Sequence, residues 1–280
     1  MPQFDPNAAA AMAARLRARA VEMVARAAAS HIGGCLSMAD ILAVLYGQVL
    51  HVDPARPDAP DRDRLILSKG HGAAILYATL AERGFFPIEQ LKTYCQAGSH
   101  LTGHTNHHVP GVEVSTGSLG HGLPVGCGMA LAAKKAGLAF RMFVILSDGE
   151  LDEGSNWEAI LFAAHHRLDN LVAIVDYNKI QSFGSVPEVL ELEPLEAKWK
   201  AFNWTVRGID GHDPSQIYRA VTQPAEAADG PRGGARPTVV IAHTIKGKGV
   251  VFMEHQLAWH YQSPKNEQLA QALAELRRGQ

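Results

Sequence analysis

Cysteine is scarce in this chain of 280 residues: Cys35, Cys95 and Cys127 stand far apart, and no CxxC pair occurs. Such spacing supports neither a disulfide framework nor a zinc ribbon, so all three are expected to be buried, reduced thiols of a cytosolic protein. An excess of one charge is also lacking. The 26 basic and 28 acidic side chains leave a net charge of -2, which gives no nucleic-acid footprint. No apolar run approaches the length of a membrane span, and no internal repeat or convincing linker divides the chain. The N-terminus carries Arg15, Arg17, Arg19 and Arg26 among alanines, as a transit peptide would. Asp5 and Glu22 are acidic, however, and serine is absent before Ser30, so this segment reads as mature protein.

What the chain does have is a hydrophobic fraction of 47%, ordinary for a protein with a substantial core, in a length that suits one large α/β domain or two small ones. Its most informative stretch runs from Phe143 to Gly184. An apolar strand-like run ends in Ser147-Asp148-Gly149, a helical pattern follows, and a second apolar run ends in Asp176-Tyr177-Asn178-Lys179-Ile180. Asp148 and Asn178 are separated by about one strand–helix–strand unit. In a parallel sheet, ligands bind outside the carboxyl ends of the strands, which sends both side chains toward one crevice. A carboxylate and an amide oxygen there suit a hard Mg²⁺ or Ca²⁺ ion, and Mg²⁺ commonly bridges a few protein oxygens to ligand phosphates. Asp and Asn also end strands as plain turn residues, and spacing alone does not separate the two readings.

The remaining pattern fits the same architecture. Residues 8–29 read as a helix with an apolar stripe through Leu16, Ala20, Met23, Val24 and Ala27. His31-Ile32-Gly33-Gly34 is expected to break it, with a helical pattern resuming from Ser37 to Leu50. A loop over 51–64, a short strand at Leu65-Ile66-Leu67 and a helix through Ala81 follow. Residues 99–117 are polar, rich in Gly and His, and read as a long functional loop. A small-residue helix spans Gly120 to Lys135, two more strands fall at 204–209 and 238–243, and residues 225–237 read as an exposed Gly/Pro/Ala loop. The C-terminal run LAQALAELRR reads as a polar helix. The expected fold is α/β, a doubly wound, mostly parallel sheet with helices on both faces, forming a single domain over 1–280.

Five stretches occur in one order: ASHIGGCLS, LSKGHG, STGSLGHG, SDGELDEGSN with VDYNKI, and HTIKGKGV with AWH. One glycine motif would be weak, but five in order are specific. Together they resemble the N-terminal, diphosphate-binding half of transketolase, over about residues 15 to 265. Single-chain transketolases continue into further domains, so the chain is similar to the smaller subunit of a split transketolase whose other half is a separate polypeptide.

The resemblance implies thiamine diphosphate and Mg²⁺ (Ca²⁺ as a substitute), with Asp148, the Asn178 side chain and the Ile180 carbonyl as metal ligands. It places the Gly149 backbone N–H toward the diphosphate, Gly117-Ser118-Leu119 against the aminopyrimidine, and Glu153 near the metal and a subunit contact. His71 and Lys246 fall near the phosphates. His31 and His260, the latter also beside the cofactor, handle the donor's hydroxyl proton, and His104 holds the hydroxyketone end. Imidazole suits proton transfer near neutral pH. Taken singly, each of these histidines reads equally as a structural or surface residue. Three departures from the family pattern stand out: Ser147 where glycine is usual, His121 in place of glutamine, and Thr105 in place of proline after His104.

The His100, His104, His107, His108 run has no common zinc spacing, and His165-His166 reads as a solvated helix face. Ketol transfer between sugar phosphates in the cytoplasm follows from the resemblance, with activity only beside a separate C-terminal subunit, in a complex with two copies of each. Two other readings remain: a specialised thiamine diphosphate-dependent ketol or acyl transferase subunit of secondary metabolism, or one more like deoxyxylulose-phosphate synthase; and a noncatalytic scaffold that stabilises a partner.

Overall fold

In the computed structural model, which describes residues 3–227 and 234–278, five parallel strands form one sheet: β1 (Arg64–Leu67), β2 (Met142–Ser147), β3 (Leu171–Tyr177), β4 (Thr205–Asp210) and β5 (Thr238–His243). Their spatial order is β1-β2-β3-β5-β4. Successive side chains of a strand point to opposite faces, and the core divides accordingly. Leu65, Phe143, Ile145, Ile174 and Val240 join one buried cluster, whereas Ile66, Val144, Leu146, Val175 and Ile241 join the other. Both faces are covered, so the strands read as continuous apolar runs rather than alternating ones.

The first face is covered by α1 (Pro6–Ala27), α2 (Ile32–Ser37), α3 (Ala39–Val44), α4 (Ala73–Glu82), and two later helices described below. The second is covered by α5 (Gly122–Ala136), α6 (Gly154–His165), a single turn α7 (Val186–Val189) and α8 (Leu195–Ala201). Trp199 and Trp204 close that second core edge to face at 4.8 Å, and the Trp204 indole N–H donates to the Ile160 carbonyl at 2.9 Å. The remaining first-face helices are α9 (Pro214–Thr222) and α10 (Glu267–Arg278).

Four local expectations need correction. Helix α1 starts at Pro6 because Asp5 caps it, accepting from Asn7 N and Ala8 N at 2.9 and 3.1 Å. The chain turns at Ala28 and His31, both left-handed, and Gly33-Gly34 then lie inside α2 instead of breaking a helix. The single helix expected from Ser37 to Leu50 is divided: α2 ends at Ser37, α3 follows, and a π turn spans Leu45–Val49. Cys35 and Cys127 are buried as expected, but Cys95 is exposed, held in a left-handed turn whose N–H donates to Leu101 O at 2.8 Å. Of the loop expected over 225–237, residues 228–233 lie outside the described residues, and Ala227 bridges to Ala235 beside them. Among the described residues no helix is long and apolar enough to cross a membrane.

Candidate active site

The carboxyl ends of four neighbouring strands face one crevice. Leaving β1, the chain gives Ser68, Lys69 and His71; leaving β2, Asp148; leaving β3, Asn178 and Ile180; leaving β5, Thr244 and Lys246. The polar residues expected from the strand–helix–strand reading therefore stand together, as strand parallelism requires.

Four histidines gather at this edge from distant parts of the chain. The His31 ring lies 5.1 Å from His71, 6.1 Å from His104 and 4.9 Å from His260, and His71 lies 5.8 Å from His260. The backbone N–H of His31 donates to His260 O at 2.8 Å. His104 is exposed at the mouth, its carbonyl accepting from Tyr77 OH at 2.8 Å. The residue after it, Thr105, donates its N–H to Gly70 O at 3.2 Å and shares a short hydroxyl bond with Thr116. A proline at 105 could not donate that N–H. At Gly117 an added Cβ would stand 3.0 Å from His104 Cδ2, so the glycine lets the His104 ring lie against the backbone.

Lys246 links the histidines to the strand ends. Its ammonium donates to Ile180 O at 2.9 Å and to His260 Nδ1 at 3.0 Å. Burial lowers the Lys246 pKa to about 8. Burial also lowers His260 to about 3, with the Lys246 charge adding to the effect, and His31 to about 4, with His104 and Lys246 adding. His71 is driven well below its ordinary value, again chiefly by burial. At neutral pH these three imidazoles are uncharged.

Asp148 is 2% exposed, and its carboxylate accepts from Gly149 N at 2.8 Å and Lys179 N at 2.6 Å. Burial, and next the charge of Asp176, push its pKa up to about 6. A buried carboxylate held by backbone N–H groups is short of positive charge. Beside it the Ile180 carbonyl already attracts a cation, the Lys246 ammonium, and Asn178 Oδ1 accepts the N–H of Ile180 at 3.2 Å. Three hard oxygen donors at adjoining strand ends fit a divalent cation. Among the described residues no group of three or more His, Cys, Asp or Glu side chains could hold a metal; this set has a single carboxylate and is of another kind.

The other expected residues are more peripheral. Gly149 does not open an α-helix: it begins a 3₁₀ turn ending at Asp152, its N–H turned to Asp148, and α6 starts five residues later. Ser118 and Glu153 are exposed, and Leu119 is half-buried, its carbonyl meeting His121 Nδ1 at 2.9 Å. His100, His107 and His108 form an exposed ring cluster, with His107 Nδ1 2.8 Å from Ser115 Oγ, and His165 and His166 are exposed on α6 and just beyond it.

Three buried charges were not singled out from sequence. Lys69 and Asp176 form an ion pair at 2.5 Å, fully enclosed, with Asp176 also accepting from Ser37 at 2.6 Å and from Thr244. Burial opposes ionisation of Asp176, but Lys69 and the hydroxyl bonds together hold its pKa below the usual value. Glu150 accepts from Ser68 and from Gly120 N at 3.0 Å, pinning the 115–122 turn to β2. Lys69 and Asp176 both lie at or just beyond strand ends, the signal that found Asp148.

Known proteins align with this arrangement along nearly the whole chain. The family described as "Transketolase, thiamine diphosphate binding domain" matches residues 8–277. A 6-deoxy-6-sulfo-D-fructose transketolase subunit, SqwG, from Clostridium sp. (strain MSTE9) is 44% identical over 262 residues, covering 93% of each chain. One of the subunits of apulose-4-phosphate transketolase from Actinobacillus succinogenes is 46% identical, covering 89% of this chain and 88% of that one. The solved transketolase of Campylobacter jejuni superposes with a TM-score of 0.90 at 32% identity, covering 98% of this chain but 43% of its own. This chain thus spans about two fifths of the length of solved single-chain relatives and nearly all of the two subunits.

Proposed function

The chain belongs to the transketolase family through its thiamine diphosphate binding domain, and we propose that it is the N-terminal subunit of a split transketolase. The observation that carries this reading is the meeting of Lys246, His31, His71, His104 and His260 beside Asp148 and Ile180. That placement supplies what moving a two-carbon ketol unit between sugars requires of this half: anion binding, a metal clamp and neutral imidazoles.

Thiamine diphosphate, when bound, supplies the electron sink for breaking and making the carbon–carbon bond. Asp148, Asn178 and the Ile180 carbonyl would hold Mg²⁺, and Lys246 and His71 would supply the diphosphate side of the site. Gly117, Ser118 and Leu119 would line the aminopyrimidine side, Gly149 would lie beside the diphosphate, and Glu153 would face the partner. His31 and His260 take and return the donor's hydroxyl proton, while His104 at the mouth orients the hydroxyketone end. An anion arriving beside Lys246 would offset the share of the lowering that its charge imposes on His260 and His31.

The single domain acts in the cytoplasm with a separate C-terminal subunit, two copies of each, which completes the sugar-phosphate grip. The named subunits act on a sulfo-sugar and on a sugar phosphate, so the donor here carries an anionic end, read chiefly by the partner. Native mass spectrometry of the chain from its own host with Mg²⁺ tests the assembly: a second chain with bound thiamine diphosphate is expected. Full ketol transfer by the isolated chain would overturn the split arrangement. Undiminished activity of an Asp148→Ala complex would overturn the metal assignment.

A further inference from the structure

A buried network runs behind the lysine of this site. His212 lies between β4 and α9, and its backbone N–H is taken by Asp210 Oδ1 at 2.8 Å. Its ring Nδ1 donates to Asp40 Oδ2 at 2.8 Å, and Arg17 binds the same carboxylate in an ion pair buried between α1 and α3. Arg17 is itself anchored by Nε, which donates to Leu36 O at 3.1 Å. Because Asp40 accepts at Nδ1, the neutral ring presents a bare Nε2. That atom accepts the backbone N–H of Ile245 at 2.9 Å.

Ile245 directly precedes Lys246. On the other side of the lysine, Gly247 N donates to Gly33 O at 2.9 Å. Lys246 therefore leaves a backbone fixed on both flanks, once by His212 and once by α2. A four-carbon side chain carries large rotamer entropy, and holding its root reduces what must be ordered to place the ammonium.

We propose that His212 is a positioning residue for Lys246: by accepting the Ile245 N–H it sets the backbone from which Lys246 reaches Ile180 and His260. The proposal rests on the reading of Lys246 as a cofactor-side residue. Its structural half, the hold on the turn, does not.

Two substitutions separate this role from a simple tie between Asp40 and the loop. Glutamine carries an acceptor near the place of Nε2 and gives up the donor at Nδ1; asparagine does the reverse. In the complex with its partner chain and Mg²⁺, thiamine diphosphate is titrated by tryptophan fluorescence. His212→Asn is expected to weaken binding by about 10- to 100-fold, the range typical of supporting contacts around a metal site, while His212→Gln stays near wild type. In the protein without ligand, amide exchange at Ile245 and Gly247 speeds up in His212→Asn and not in His212→Gln.

The opposite ranking, or equal binding and exchange in all three proteins, overturns the proposal. Should His212→Asn fail to fold, loss of binding by a folded His212→Gln overturns it as well. If the wild-type complex binds no thiamine diphosphate, the functional reading fails, and amide exchange decides the role of His212: unchanged rates in His212→Asn end it.

Discussion

Lys246 Nζ and His260 Nδ1 meet at 3.0 Å, and an ammonium can only donate, so the imidazole proton of His260 is confined to Nε2. The contact fixes both a tautomer and a charge state. It also gives the site a definite response to acid.

Stability should fall as pH drops below neutrality. His31 and His260 are lowered to about 4 and 3 from 6.5, so between those values and 6.5 the unfolded chain binds protons that the folded chain refuses. His71 acts in the same direction. Asp148 opposes them, since its raised pKa of about 6 makes the folded form bind a proton first between 6 and 3.8. Burial raises Glu150 and Asp152 in the same sense as Asp148, but Asp40 and Asp176, held low by their cationic partners, side with the three histidines. The unfolding midpoint is therefore expected to decline from pH 7 to 4.5, with a shallower slope in His260→Gln; a flat curve would refute the account.

Asp148→Asn removes a buried charge that the unliganded protein stabilises poorly, while keeping an acceptor for the Lys179 N–H. The unliganded unfolding midpoint is expected to hold or rise. Mg²⁺-dependent binding of thiamine diphosphate should fall by more than the roughly 10- to 100-fold that an outer-shell partner costs. Thermal unfolding measures the first arm and calorimetric titration the second, and retained affinity would remove Asp148 from the metal set.

Breaking the Lys69–Asp176 pair from one side leaves an enclosed charge without its counterion. Lys69→Met is expected to cost about 3–5 kcal/mol in urea unfolding. Combining it with Asp176→Asn should recover part of that loss, because the orphaned charge goes too. A double variant less stable than the single one would contradict the electrostatic explanation.

Gly33→Ala tests the close approach of α2. Its Cβ would stand 3.0 Å from Lys246 Cγ and 3.3 Å from Trp259 O. Overpacking of this kind costs about 1–3 kcal/mol, and the displaced lysine should weaken cofactor binding beyond what the stability loss explains. Unchanged binding would show that Lys246 tolerates the shift.

Much of the fold was legible because the strands are buried on both faces and stand out as apolar runs; β5 was bounded correctly from sequence alone. The Gly33-Gly34 pair misled, since glycine normally interrupts helices. Here its value is tertiary: bare backbone admits Lys246 and the Trp259 carbonyl. Asp148, Asn178 and the histidines were legible through ordered motifs. Asp176 stood at a strand end like Asp148, but its partner Lys69, like Ser68 for Glu150 and Ile245 for His212, is supplied by a remote segment. Local sequence carries no trace of such a partner.

The bond from His31 N to His260 O has a consequence for biosynthesis. Two histidines that must face each other are made near opposite ends of the described chain. On the ribosome the first waits, with α2 lacking its covering segment, until the second has left the exit tunnel. A nascent chain stalled before residue 244 would carry the site residues that follow β1, β2 and β3 yet lack Lys246 and His260. Translation thus delivers Lys246 and His260 last among the residues that meet at this edge.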